Sequence, residues 1–169
     1  MPDGNPFQIV AMIPAWESGA IDLLDSQIRA ESGDGGEVDK VELCYAKGVL
    51  FILDITSVSG TSPTLDMAIY AKMGGYYFRL LQFTQKTGVF SGARFIRRDG
   101  ASFTDAITLL SSVPTPTASS AYVKDGMPWS STFVVAYNIG GTFAPGDPGP
   151  PPVPAEGFTF SVKAIPLHF

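Results

Sequence analysis

The chain holds one cysteine and one histidine, and each scarcity excludes something. Cys44 has no second thiol to join, so no intrachain disulfide can brace the fold and packing must hold it, which suits assembly in a reducing cytoplasm. His168 stands beside the last residue, so a Ser-His-Asp or Cys-His arrangement would hang on a chain end. One His and one Cys far apart also fall short of a zinc site. Positive charge is sparse: 11 Lys and Arg face 16 Asp and Glu, giving a net charge of -5, with Arg97-Arg98 as the single basic pair. Displacing counterions from a nucleic acid takes clustered cations, so nucleic acid is not an expected partner. No apolar run nears the roughly 20 residues of a membrane helix, and MPDGNPF at the start carries an acid and two prolines where a secretory signal carries positive charge. The expectation is a soluble chain with no membrane partner, not exported by a signal peptide. Phosphate loops of the GxxxxGK[ST] and GxGxxG kinds are missing, and so is an N-x-[ST] acceptor.

What the sequence does have is apolar. Hydrophobic residues make up 45% and charged residues 16% of 169 residues, enough for one domain spanning 1–169 and more than an isolated domain of this size needs to bury. The surplus points to subunit contacts. Eighteen glycines and 14 prolines punctuate short apolar runs, the pattern of a mostly β chain folded as an antiparallel β-sandwich, jelly-roll or Ig-like. In residues 49–58 (VLFILDITSV), Val49, Phe51, Leu53 and Ile55 share one face of a central strand. Residues 64–71 (TLDMAIYA) alternate as a half-buried strand. After Gly74-Gly75, residues 76–84 (YYFRLLQFT) run back, so the three read as a meander. Residues 88–96 and 106–112 are weaker strands, 113–120 (VPTPTASS) a connector, and 132–139 and 158–165 the last strands. The segments LFILDITSVSGTSPTLDMAI and TFVVAYNIGGT with GFTFSVKAI resemble each other, as two hairpins facing across a sandwich would. Between the halves of the second lies a Pro-rich insertion, residues 143–157, whose prolines forbid ladder hydrogen bonds and make it project as a loop.

The first forty residues carry a weaker pattern. Residues 1–16 read as an extended arm reaching a neighbouring subunit, or as ordinary packing on the parent sandwich. Residues 20–30 fit a short helix or a strand pair, and 32–37 (SGDGGE) a turn or loop.

Chemistry is thin. Asp34, Glu37 and Asp39 among glycines suggest a calcium loop, but the spacing matches no EF-hand and a solvated acidic loop is the plainer reading. Asp54 and Asp66 would face each other across the first hairpin as a glycosidase pair, yet nothing else builds a pocket around them. No enzyme activity, metal or cofactor is expected. The candidate residues are instead contact residues: Phe7, Ile9 and Trp16 of the arm, Trp129 as an exposed aromatic anchor, and Phe143, Pro150, Pro151 and Pro152 of the insertion.

The run LDITSVSGTSPTLDMAIYAKM followed by FRLLQFTQKTG resembles small structural proteins of tailed-bacteriophage particles. In those, an aliphatic strand, an SGTSPTLD turn and an alternating strand precede an F-T segment. The closing segment there reads GGTSPSFTFSV; here Gly140-Gly141-Thr142 is parted from Phe158-Thr159-Phe160-Ser161-Val162 by the insertion. The resemblance covers residues 50–88 and 133–165. It implies a virion protein, assembled in the host cytoplasm, that decorates or cements the capsid. Its partners would be the major capsid protein and its own copies, as a homo-oligomer, trimer or dimer. A carbohydrate- or receptor-binding module of a tail or fibre, and a tail-tube or head-completion protein, stay open beside it.

Overall fold

The computed structural model describes residues 19–98, 107–123, 126 and 128–168, and these residues form nine strands, most of them built on alternating apolar side chains. In order they are β1 (Ile21–Arg29), β2 (Gly33–Asp39), β3 (Gly48–Val58), β4 (Thr61–Met73), β5 (Tyr76–Gln82), β6 (Phe90–Arg97), β7 (Tyr122–Val123), β8 (Thr132–Thr142) and β9 (Phe158–Leu167). One helical turn, α1 (Val41–Cys44), joins β2 to β3. The strands form two antiparallel sheets, β1-β9-β3-β6 and β2-β8-β4-β5-β7, packed as a β-sandwich.

The pairings β4·β5, β3·β6, β2·β8 and β1·β9 are nested, so the chain is one long antiparallel ribbon with its tip at Gly74-Gly75. Wrapping that ribbon lays β3 on β9 and β4 on β8. This is jelly-roll topology, with β7 added at the outer edge of β5, and the immunoglobulin alternative falls away. Loops therefore gather at two poles. One holds residues 30–32, 59–60, 83–89 and 143–157; the other holds α1, the β4–β5 turn and the segment leading into β8.

The expected meander is corrected by this topology: β3 and β4 lie in different sheets, and Ser59-Gly60 is a corner where the chain crosses between them. Nor are the two look-alike segments facing hairpins. They pair with each other along their whole length, β3 with β9 and β4 with β8. At the corner, Ser62 has φ 51 and the register slips between Thr61 and Thr64, a bulge that bends the strand. Gly141, at φ +121, lies opposite; a Cβ there would stand 3.0 Å from Pro63 Cα and from the Ser62 and Thr61 carbonyls. The two motifs GTSP and GGT thus interlock, and the second tolerates only glycine at its centre.

Between the sheets, Val49, Phe51, Leu53 and Ile55 of β3 face Leu65, Met67 and Ile69 of β4, with Phe133 of β8 and Phe158, Phe160 and Val162 of β9, all in one buried core. Each such side chain contributes about 1.5–3 kcal/mol over leaving it in water. β4 is not half-buried: Ala68 and Tyr70 on its outer face, with Val134 and Ala136, form a second small cluster under Leu110 and Val113. The segment from 107 to 117 is therefore a strap across that face, tied by Tyr77 N–H to the Leu110 carbonyl at 2.9 Å and by Gln82 Nε2 to the Thr117 carbonyl at 2.7 Å. It makes an isolated bridge and not the expected strand at 106–112, whose first residue lies outside the described part.

Residues 20–30 resolve as the single strand β1. The glycine-rich acidic stretch is a strand too, β2, because Phe133, Val134, Ala136 and Tyr137 of β8 supply the backbone partners that its own composition does not advertise. A register shift between Asp34 and Glu37 absorbs the irregularity, with Asp34 Oδ1 accepting from Gly36 N–H at 2.8 Å.

Candidate functional site

The insertion at 143–157 interrupts the second strand of the bent ribbon at its corner, and the ladder resumes beyond it: Ser59 N–H donates to the Gly157 carbonyl at 3.0 Å. The prolines do not leave it without structure. Asp147 and Val153 exchange both backbone hydrogen bonds, at 2.9 and 3.1 Å, closing a small hairpin whose tip is Pro148-Gly149-Pro150-Pro151-Pro152. Asp147 Oδ1 accepts from Gly149 N–H at 2.9 Å, and at the base Glu156 Oε2 accepts from Ala144 N–H at 2.8 Å. The Pro150-Pro151 peptide is cis. Pro150, Pro151 and Pro152 are exposed, so the segment is an ordered finger with an apolar tip. Phe143, at its root, is half-buried against the core and meets Gly60; it anchors the finger and does not present itself outward.

Between the finger and the β1–β2 turn runs a cleft of about 660 Å³, walled by Pro145, Pro148, Pro152 and Pro154 and floored by Tyr137 and Phe143. Glu31, Ser32 and Asp147 supply its polar groups. Arg29 borders it, with its guanidinium 4.7 Å from the Phe160 ring centre and 5.5 Å from that of Tyr137. Its donors are taken by the carbonyls of Gln27, Asp25 and Phe160 at 3.0–3.1 Å, so Arg29 braces the bulged β1.

Trp129 is not an exposed anchor. It is 4% exposed, its Nε1–H donates to the Leu43 carbonyl at 2.8 Å, and Arg98 lies over the ring at 4.4 Å while donating to the Trp129 carbonyl at 3.0 Å. Burial pushes the Arg98 guanidinium below its ordinary pKa. The indole seals the end of the core under α1. Phe7, Ile9 and Trp16 lie outside the described residues.

Other apolar side chains are open to solvent, among them Val89 and Leu109, and four stand at the far end of the sandwich. Val41 (61% exposed) and Tyr45 (77%) lie on and just after α1, and Met73 (41%) and Tyr76 (50%) at the β4–β5 turn. Hydrogen bonds from Lys40 N–H to the Ser131 carbonyl (2.8 Å) and from Ser130 Oγ to the Lys72 carbonyl (2.6 Å) hold these two loops on either side of one connection. Both loops lie at the opposite end of β8 from the finger. Sequence reasoning missed these side chains: Tyr45 and Val41 sit in a stretch with no periodicity, and the exposure of a helical turn between strands is not written locally.

The acidic residues go separate ways. Glu37 accepts from Lys72 Nζ at 2.6 Å and from the Tyr77 hydroxyl across the outer face of β8, which holds its carboxyl below, and Lys72 and Tyr77 above, their ordinary pKa values. Asp39 accepts from Ser131 and Thr132 hydroxyls, both at 2.8 Å, and these bonds hold its pKa down. Asp54 and Asp66 stand on different sheets, the first opposite Ser91 and Ser161, the second opposite Asn138, so they make no pair. Among the described residues no three Asp, Glu, His or Cys side chains converge in a way that would hold a metal ion. No family model, no curated protein and no solved structure matches the chain.

Proposed function

We propose that the protein is a non-enzymatic structural subunit of a tailed-phage particle, which binds the outside of the assembled capsid and bridges neighbouring major capsid subunits. The observation that supports this reading best is the finger: an ordered, proline-tipped hairpin inserted at the corner of an otherwise continuous ribbon. Prolines at an exposed tip lose little conformational freedom on docking, so such a finger serves contact better than chemistry. The likeness of the SGTSPTLD and FTFSV segments to small virion proteins points the same way. A protein that binds only the assembled lattice stabilises it by mass action.

The test is cosedimentation of the purified protein with expanded capsids that lack it, with tails as control. Saturable binding to capsids alone is the expected result. Binding to tails, or to neither, would overturn it. The cleft beneath the finger favours a second reading, a saccharide-binding module, because rings, carboxylates and a hydroxyl line a space of ligand size. Saturable binding of host surface polysaccharide with no capsid binding would select it.

A further inference from the structure

β3 is apolar on both faces. Val49, Phe51, Leu53 and Ile55 fill the core, so Leu50 and Ile52, which alternate with them, point out of the sandwich. The register shows what stands beside them on that outer face: Leu50 lies between Phe95 of β6 and Ile165 of β9, and Ile52 between Ala93 and Lys163. Phe95, 36% exposed, leans across β3, for a Cβ on Gly48 would meet its ring at 2.5 Å. Cross-strand pairing thus makes Leu50, Ile52, Phe95 and Ile165 one contiguous apolar patch over three strands. The outer face of the other sheet has its cover, with Leu110 and Val113 of the strap packed on Ala68, Tyr70, Val134 and Ala136. Leu50, Ile52 and Ile165 belong to neither buried cluster. Charge selects no occupant here, because Lys163 faces Asp22 at 3.8 Å while Arg97 and Asp54 stand at opposite ends of the patch.

We infer that the chain's own residues 7–16 cross the outer face of this sheet and cover the patch. The place where the described chain begins supports it. β1 is the edge strand of the sheet, and its first residue, Ile21, pairs with Ala164, the neighbour of Ile165, so the chain enters β1 at the border of the patch. Residues 1–18 precede the described part. From β1 to β6 is about 14 Å at roughly 4.8 Å per strand, and ten extended residues reach about 33 Å at roughly 3.3 Å each, so the segment spans the face with length to spare. Its composition suits an apolar face, since Gln8 is the single polar residue of 7–13 and Trp16 follows. Tethering at the border of the face gives the segment an effective concentration in the millimolar range, which a second copy in dilute solution does not match. The inference stands apart from the capsid reading, because it concerns the isolated protein and would hold equally for a tail component.

The test is photo-crosslinking of the full chain with benzoylphenylalanine in place of Phe7 or, separately, of Trp16, followed by mass spectrometry of the digested protein. Adducts are expected on residues 48–52, 91–97 and 163–167 of the same molecule. A mixture of light- and heavy-isotope protein separates adducts within one molecule from adducts between two. Leu50→Ser with Ile52→Ser, both outside the core, should keep a cooperative thermal melt and lower the adduct yield severalfold. Where that melt is not cooperative, the adduct map of the unaltered patch decides alone. Adducts on another surface, adducts that join two copies, no adduct at all, or a yield that a folded double variant leaves unchanged would each overturn the inference.

Discussion

Replacing Trp129 with alanine should remove about 3–5 kcal/mol of stability, the usual consequence of deleting a buried indole and leaving its space empty. Three features of the site set that magnitude. The ring is 4% exposed and belongs to the main core, its Nε1–H bonds the Leu43 carbonyl at 2.8 Å, and it is the platform on which the Arg98 guanidinium rests at 4.4 Å. The lost hydrogen bond matters less than the lost packing, because the Leu43 carbonyl also accepts from Ala46 N–H at 3.2 Å and would not be orphaned. Trp129→Phe, which keeps most of the ring, should therefore cost only about 1–2 kcal/mol. For a chain of this length about 2–4 °C of Tm accompanies each kcal/mol, so the alanine variant should melt about 6–20 °C lower. Urea unfolding followed by circular dichroism gives the free energies directly. A Trp129→Ala protein within about 0.5 kcal/mol of the parent would place the indole at the surface and refute the reasoning.

At the corner, Gly60 has φ +108, and a Cβ there would stand 2.6 Å from the Phe143 ring and 2.9 Å from the Thr142 carbonyl. Gly60→Ala should destabilise by about 1–3 kcal/mol, read as a lower urea midpoint at unchanged m-value; no change would mean that the corner relaxes freely. Serine in place of Pro150, Pro151 and Pro152 should instead shift stability by under about 0.5 kcal/mol, since the finger tip touches no core, and a large loss would show that it braces the fold. The Glu37 carboxyl is held below its ordinary pKa by Lys72 and Tyr77, so the stability it adds is present above the unfolded-state value and is lost as pH falls through the folded one. Glu37→Gln should flatten that acid limb of the stability profile, and an unchanged limb would show the contact to be idle. Tyr77, held above its ordinary pKa, acts at the other end: its contribution is present below the unfolded-state value and fades as pH rises through the folded one, which Tyr77→Phe should abolish in an alkaline titration.

Strand identity was legible in the sequence because side-chain alternation is local. Val49, Phe51, Leu53 and Ile55 must share a face whatever they pack on, and the strand they define lies within two residues of its expected ends. The glycines and prolines likewise marked the Gly74-Gly75 turn and the insertion where the chain in fact turns and departs. From the same residues the antiparallel sandwich followed.

Pairing was decided only in three dimensions. Ser59-Gly60 reads the same whether it closes a hairpin or carries a strand round a corner, and the choice rests on β8 and β9, some eighty to a hundred residues away, offering partners to β4 and β3 at once. The same holds for β2, whose glycines become a strand because β8 has free backbone groups to meet them, and for Trp129, buried by α1 and Arg98 from distant parts of the chain. Periodicity is a property of neighbours along the chain, whereas edge, corner, pole and burial are properties of what the rest of the chain brings alongside.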